Sequence, residues 1–238
     1  MNILVTICAR GGSKGIPGKN TSILNGKHLI SYSIKVAFAF VSKHGGKVSL
    51  STDSEEIKTI ASSYGLNTGY IRPDHHATDA AGKIPAIRDL LIYEEQLENT
   101  RFNYVLDLDV TSPLRTMEDI ENALTLIAQN PDALNIFSVS PPNRNPYFNM
   151  VEPTSDGFCK LVKDGLVIKS RQSAPIVYDM NASFYFYRRH FFDEGWEIAL
   201  TPKSMFYVVP HMCFDLDHPS DFRIMELLMK ENLLDFSI

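Results

Sequence analysis

This 238-residue chain has no run of about 18 consecutive apolar residues, so nothing in it is expected to span a bilayer. The N-terminus also has no basic region followed by a long apolar stretch, which argues against a secretory leader. Cysteine is scarce. Cys8, Cys159 and Cys213 are odd in number and share no metal-ligand spacing. Reduced thiols in a cytoplasmic protein are therefore expected, not a disulfide framework or a zinc site. Without secretion, the glycosylation-like triplets Asn20-Thr21-Ser22 and Asn181-Ala182-Ser183 carry no meaning. Excess positive charge is missing as well: 23 Lys and Arg against 28 Asp and Glu leave a net charge of −5, which argues against a general nucleic-acid binder. There are no internal repeats or low-complexity tracts. The length suits one α/β domain with a small lobe, and 44% hydrophobic residues allow a sizeable core.

What is present is concentrated at the start. An apolar strand ending at Cys8 runs into a loop with four glycines and three cations between Arg10 and Lys19. Glycines let backbone N–H groups close on a ligand, and successive N–H groups form an anion-binding concavity. Arg10, Lys14 and Lys19 add positive charge there, and a polyphosphate is the ligand this suggests. The competing reading is a solvated basic turn. Two better-known phosphate loops are excluded. The Walker pattern fails because Asn20 follows Gly18-Lys19 and Ser13 stands where its first glycine belongs. Gly11, Gly12, Gly15 and Gly18 do not have the G-x-G-x-x-G spacing of a dinucleotide fingerprint.

The rest of the chain alternates. Strands are predicted at 2–8, 48–51, around 70–71, at 104–108 and at 134–139, with helices at 29–40, from Asp53 or Ser54 to Tyr64, at 83–98 and at 117–128. This pattern predicts a three-layer α/β fold built on a mostly parallel, doubly wound sheet. In such sheets ligands sit beyond the carboxyl ends of the strands. The glycine loop, Asp53, Arg72 and the turn at 109–115 all fall at such ends. After Ser140 the alternation breaks. Residues 141–175 hold five prolines and two glycines and read as an inserted lobe or extended hairpin. A strand rich in Tyr and Phe is expected at 176–187, with Phe184 and Phe186 in the core and Tyr185 and Tyr187 on a half-polar face. A strand at 205–209 and a helix from Ser220 or Asp221 to Leu234 close the chain.

In Asp215-Leu216-Asp217, strand periodicity would point both carboxylates the same way, as a divalent metal site requires. The competing reading is an Asp-rich turn that caps the last helix. The adjacent His75 and His76 are expected to diverge and to be loop residues, and His211 and His218 have no partner at metal-ligand spacing. Arg115 reads either as a site residue at the mouth of the sheet or as a structural ion-pair partner.

The run Ala9-Arg10-Gly11-Gly12-Ser13-Lys14-Gly15-Ile16-Pro17-x-Lys19-Asn20 resembles the opening signature of the acylneuraminate cytidylyltransferases. The similarity continues in order through Arg72-Pro73, Thr111-Ser112-Pro113-Leu114-Arg115-Thr116, Arg171-Gln172, Asn181 to Tyr185 and Asp215-x-Asp217. The resemblance implies a nucleotide-diphospho-sugar transferase-like fold that couples CTP to a nine-carbon 2-keto acid sugar and releases pyrophosphate. It implies that Arg10, Gly11, Gly12, Ser13, Lys19, Asn20 and Arg72 bind the nucleotide, with Arg10, Lys19 and Asp217 catalytic. It further implies Mg²⁺ at Asp215 and Asp217, sugar contacts at Asp109, Arg171, Gln172, Asn181 and Tyr185, and a homodimer whose 141–175 lobe embraces the partner. Two alternatives stay open: another sugar nucleotidyltransferase, such as one making CMP-3-deoxy-octulosonate, and a silent nucleotide-sugar binding module. One position departs from the family: Asp109 stands where relatives carry glutamine. It is expected to contact the sugar and mark a different acceptor, or else to help hold Mg²⁺.

Overall fold

In the computed structural model, which describes every residue except 13, 14, 79 and 166, strand β1 (Ile3–Cys8) organises the sheet. Its alternate residues serve two cores: Ile3, Val5 and Ile7 pack on one face and Leu4 on the other. A strand buried on both faces belongs in the middle of a parallel sheet. The Asn25-Gly26 pair, with φ of 47° and 78°, then turns a small hairpin between β2 (Ile23–Leu24) and β3 (Lys27–His28). Helix α1 (Leu29–His44) buries Leu29, Ile30, Ile34, Ala37 and Phe40, the stripe of a one-sided helix.

Strand β4 (Lys47–Ser51) pairs parallel with β1. Helix α2 (Glu55–Ser63) follows, capped by Ser54, whose hydroxyl accepts from the Ile57 N–H at 3.3 Å. Asp53 is not the cap and is engaged elsewhere. No strand forms at 70–71, contrary to expectation: Tyr70 is buried there, and the Arg72 N–H reaches the Thr52 carbonyl. Helix α3 (Lys83–Leu97) leads to β5 (Tyr104–Leu108), the parallel neighbour of β1 on its other side. Helix α4 (Met117–Gln129) begins in a capping box between Thr116 and Asp119. Strand β6 (Asn135–Ser140) follows.

Between β6 and the next long strand the chain forms a hairpin of β7 (Val151–Pro153) and β8 (Cys159–Leu161), then a 3₁₀ turn at Arg171–Ser173. Strand β9 (Asp179–Arg188) begins three residues later than predicted and runs antiparallel to both its neighbours, β5 and β6. Helix α5 (Arg189–Asp193) and strand β10 (Ser204–Val208), parallel to β6, complete a six-stranded sheet of order β10-β6-β9-β5-β1-β4. Phe184 and Phe186 lie in the first core, as the alternation requires. Tyr187 is not half-polar: it is 2% exposed and packs against Phe191 and Phe192 in the second core.

Helix α6 (Pro219–Lys230) ends four residues earlier than expected. Its cap is neither Ser220 nor Asp221 but His218. Asp221 acts from inside the first turn, accepting from the backbone N–H groups of His218 (2.7 Å) and Asp217 (3.1 Å). His211 pairs with Asp119 at 2.8 Å and stacks on Phe236. His75 and His76 do not diverge, because a 3₁₀ turn brings their ring centroids to 4.1 Å. Among the described residues no helix is long and apolar enough to cross a membrane.

Candidate active site

Because β1, β4 and β5 are parallel, their carboxyl ends open on the same side of the sheet. There they wall a cavity of about 250 Å³ lined by Arg10, Lys19, Arg72, Lys83 and Asp109, among others. Each group reaches the cavity by a local device. Arg10 lies two residues past the end of β1 and is half-buried. Asn20 is buried in a 3₁₀ turn, and its side-chain amide donates to the Arg10 carbonyl at 2.9 Å, tying the two ends of the glycine loop together. Gly18 opens that turn with a φ of 65°, which a side chain would resist. Ser13 and Lys14, also expected in the loop, lie outside the described residues. One amide of the predicted anion concavity is already occupied: the Gly11 N–H donates to Asp53 Oδ1 at 2.8 Å. Gly12 lines the cavity.

The loop and the acidic pair form one structure. A Cβ on Gly15 would come 2.5 Å from the Asp217 carbonyl oxygen, so only glycine permits this approach. Lys19 Nζ donates to the Leu216 carbonyl at 2.6 Å and lies 3.6 Å from Asp217 Oδ1. The 215–217 segment lies in no helix or strand, and its Leu216 N–H donates to the Thr111 carbonyl at 2.9 Å. Leu216 is fully buried in the first core, whereas Asp215 is half-buried and Asp217 exposed, so the two carboxylates flank an anchored leucine. Neither caps α6, which removes the turn-capping explanation. Burial, then the nearby charge of Asp217, hold the Asp215 carboxyl above the usual carboxylate range. Such a pair is stabilised by a cation. Among the described residues no group of three or more His, Cys, Asp or Glu is placed to hold a metal. Two carboxylates are nevertheless sufficient for Mg²⁺, which takes its remaining ligands from water and substrate phosphates.

Arg72 is 5% exposed, and its guanidinium donates to the Ser51 hydroxyl and the Ser51 carbonyl, both at 2.9 Å. It is thus fixed at the end of β4 with one edge at the cavity. Asp109 accepts at Oδ1 from the Thr111 N–H and hydroxyl, each at 2.8 Å, and at Oδ2 from Lys83 Nζ at 2.6 Å. Burial opposes its charge, but Lys83 and then Thr111 bring its pKa down to about 2.

Of the expected sugar contacts, Asp109 lines this cavity, whereas Arg171, Gln172, Asn181 and Tyr185 do not. Arg171 and Gln172 are exposed in the lobe's 3₁₀ turn. Asn181 is buried at the β6–β9 register shift. Its Oδ1 accepts from the Ser138 hydroxyl at 2.6 Å and its Nδ2 donates to the Ser140 hydroxyl at 2.8 Å, so its amide braces the bulge. Tyr185 is half-buried behind Lys83, whose Nζ lies 5.7 Å from the ring centroid. Among the described residues Arg115 forms no ion pair. It is 1% exposed and donates to the Ser183 carbonyl (2.7 Å), the Ser33 hydroxyl (3.0 Å) and the Asp109 carbonyl.

Lys83 and Asp107 were not singled out in the sequence. Two signals were there to be read: a charged residue within the apolar strand Tyr104-Val105-Leu106-Asp107-Leu108, and a lysine in a first helical turn, where the helix dipole disfavours it.

A family model described as cytidylyltransferase matches residues 4–222. The post-translational flagellin modification protein B of Campylobacter coli is 40% identical over 98% of this chain and 97% of its own length. The CMP-N,N'-diacetyllegionaminic acid synthase of Campylobacter jejuni is 38% identical, covering 95% of this chain and 94% of its own. Among solved structures, a CMP:2-keto-3-deoxy-manno-octonic acid synthetase complexed with CTP superposes with a TM-score of 0.70 at 14% identity, covering 98% of this chain and 100% of its own, a likeness of fold. A glycine loop packed on an acidic pair at the carboxyl edge of this sheet, together with a match over nearly the whole length, makes this chain a member of the cytidylyltransferase family.

Proposed function

We propose that the chain transfers CMP from CTP to the anomeric hydroxyl of a nine-carbon 2-keto acid sugar and releases pyrophosphate. The observation that carries this reading is the junction of Gly15 and Lys19 with residues 216 and 217, which makes a phosphate loop and an acidic pair one site. The reaction is in-line attack on the α-phosphate, in which the protein positions groups and neutralises developing charge. Arg10 and Lys19 meet the phosphates, Asn20 keeps the loop closed around them, and Arg72 contacts the nucleoside. Asp217 accepts the proton of the attacking hydroxyl. Mg²⁺ at Asp215 and Asp217 would neutralise charge on the phosphates. The sugar-side roles of Arg171, Gln172, Asn181 and Tyr185 belong to the same proposal, with Asn181 acting through the bulge that it braces. An acceptor of the legionaminic type is favoured by the 38% identity to a synthase of that name.

Pyrophosphate release, coupled to inorganic pyrophosphatase and followed by malachite green, tests the reading across nucleoside triphosphates and a panel of sialic, legionaminic, pseudaminic and octulosonic acids. Preference for CTP with a nine-carbon acid is expected. Preference for the eight-carbon acid would replace the acceptor, and no release with any pair would favour a silent binding module. Asp215→Asn and Asp217→Asn should each need several-fold more Mg²⁺ for half-maximal rate, because amides coordinate hard cations less well than carboxylates. An unchanged Mg²⁺ titration in both variants would remove the metal from these residues.

The lobe is proposed to join two copies of the chain. Phe158 and Val167 in the lobe and Ile176 directly after it are 74%, 90% and 83% exposed, a large apolar surface for so short a segment. Val167→Asp combined with Ile176→Asp should give a monomer by light scattering, and a dimer of undiminished stability would move the interface elsewhere. A cytoplasmic location is supported by the three cysteines, all of them free thiols.

A further inference from the structure

Lys83 opens α3 at the cavity wall and holds two carboxylates at once. Its Nζ lies 2.6 Å from Asp107 Oδ2 and 2.6 Å from Asp109 Oδ2. Asp107 is fully buried, and its other oxygen accepts from the Thr6 hydroxyl at 2.8 Å. A carboxylate in the middle of the sheet therefore takes its counter-charge from Lys83. Asp109 spends Oδ1 on Thr111. An ammonium has three donors, and each carboxylate oxygen has about two acceptor directions. Among the contacts of the described residues, Lys83 makes a hydrogen bond to Asp109 Oδ2 and pairs with Asp107 by charge, so at least one Lys83 donor and one direction of Asp109 Oδ2 remain. They sit side by side on the wall of the cavity that both residues line.

Charge decides what can bind there. One ammonium facing two carboxylates leaves the trio net negative, so a phosphate or carboxylate is repelled from this wall toward Arg10, Lys19 and Arg72. Burial works against the Lys83 ammonium, but Asp107 and Asp109 hold its pKa well above the usual lysine value, so it stays charged. A neutral group that both donates and accepts is satisfied at both ends. We propose that Lys83 and Asp109 form a specificity subsite that reads a neutral hydroxyl or amide group on one of the two substrates. The donor–acceptor couple does with an ion pair what a single side-chain amide does alone. The inference rests on the cytidylyl-transfer reading of the cavity.

Lys83→Met alone would strand Asp107 in the core, so the test uses Lys83→Met with Asp107→Asn, and Asp109→Asn as the acceptor-side variant. A hydrogen bond to a charged group is worth about 10–100-fold in affinity. The KM of one substrate should rise by that factor in both variants, with the other KM within about twofold and the change falling on KM more than on kcat. A rise confined to the acid assigns the group to the sugar, and one confined to CTP assigns it to the nucleoside. Unchanged KM values, or both rising together, overturn the proposal. If the wild type releases no pyrophosphate with any pair, the cytidylyl reading falls. Calorimetric titration of wild type and variants with CTP and with each acid then decides Lys83 by the same criterion of selective loss.

Discussion

Lys19→Ala should lower turnover by about 10²–10³ at saturating CTP while the melting temperature changes little, because removal of one preorganised donor from a developing charge typically costs that much. The structure explains why so small a change has so large an effect. The Lys19 side chain is only 12% exposed and is aimed by two contacts, the Leu216 carbonyl at 2.6 Å and Asp217 at 3.6 Å. Its charge is thus held in place before substrate arrives, and it links the glycine loop to the acidic pair. Steady-state pyrophosphate release and a thermal melt on the same preparation check both halves of the expectation. Near-wild-type turnover at saturating CTP would take Lys19 out of the chemistry. A collapse of turnover accompanied by a large loss of melting temperature would make it a structural tie between loop and strand.

The second large effect concerns stability. Arg115→Met keeps an apolar stem of similar length but withdraws the guanidinium from the Ser183 and Asp109 carbonyls and the Ser33 hydroxyl. The Asp109 carbonyl keeps the Ser33 hydroxyl as a donor at 2.9 Å and the Ser183 carbonyl keeps the Asp109 N–H at 3.1 Å, so what is lost is the hydrogen bonds to a charged group, worth about 1.5–3 kcal/mol each. Part of that is offset, because a buried guanidinium is itself costly: burial pushes its pKa down to about 10, and among the described residues its Nε finds no partner. A net loss of about 3 kcal/mol is expected. In a chain of this size that lowers the melting temperature by about 6–12 °C. A shift below about 2 °C would show that the Ser33 hydroxyl and the Asp109 N–H satisfy the two carbonyls without Arg115. Arg115 ties the end of β5 to β9 and α1, so activity should fall through displacement of Asp109 and Thr111, not through loss of a substrate contact.

The parts of the fold that were legible in the sequence are those decided by local rules. The buried run Ile3–Cys8, the helical stripe of α1 and the Ser54 cap each follow from a few neighbouring residues. The Asn25-Gly26 hairpin is decided just as locally, by two residues that both take positive φ. The direction of β9 was not legible, because an alternating Tyr and Phe pattern states which faces are apolar and says nothing about which strands lie alongside. Burial of Tyr187 depends on α5, and α5 was not foreseen. At the site, the glycine loop and the acidic pair were visible as motifs, whereas the contact between Gly15 and Asp217 joins residues about two hundred positions apart. Lys83 was hidden because helical periodicity accounted for its neighbours, and the partner that explains it, Asp107, lies on β5, some two dozen residues further along the chain.

The place of β9 has a kinetic consequence. Strands β5 and β6 are consecutive in the chain and linked through α4, yet they do not touch, because the slot between them is filled by residues 179–188. A nascent chain that has emerged only as far as β6 therefore exposes the two raw edges of that slot, each a row of unpaired N–H and C=O groups flanked by apolar side chains. The sheet closes only when the lobe has been made and the chain returns, which makes a late, long-range step the one that completes the wall behind the cavity. Until then the two edges invite pairing with other chains. Truncations that end inside the lobe should on this account yield aggregates instead of a smaller working enzyme.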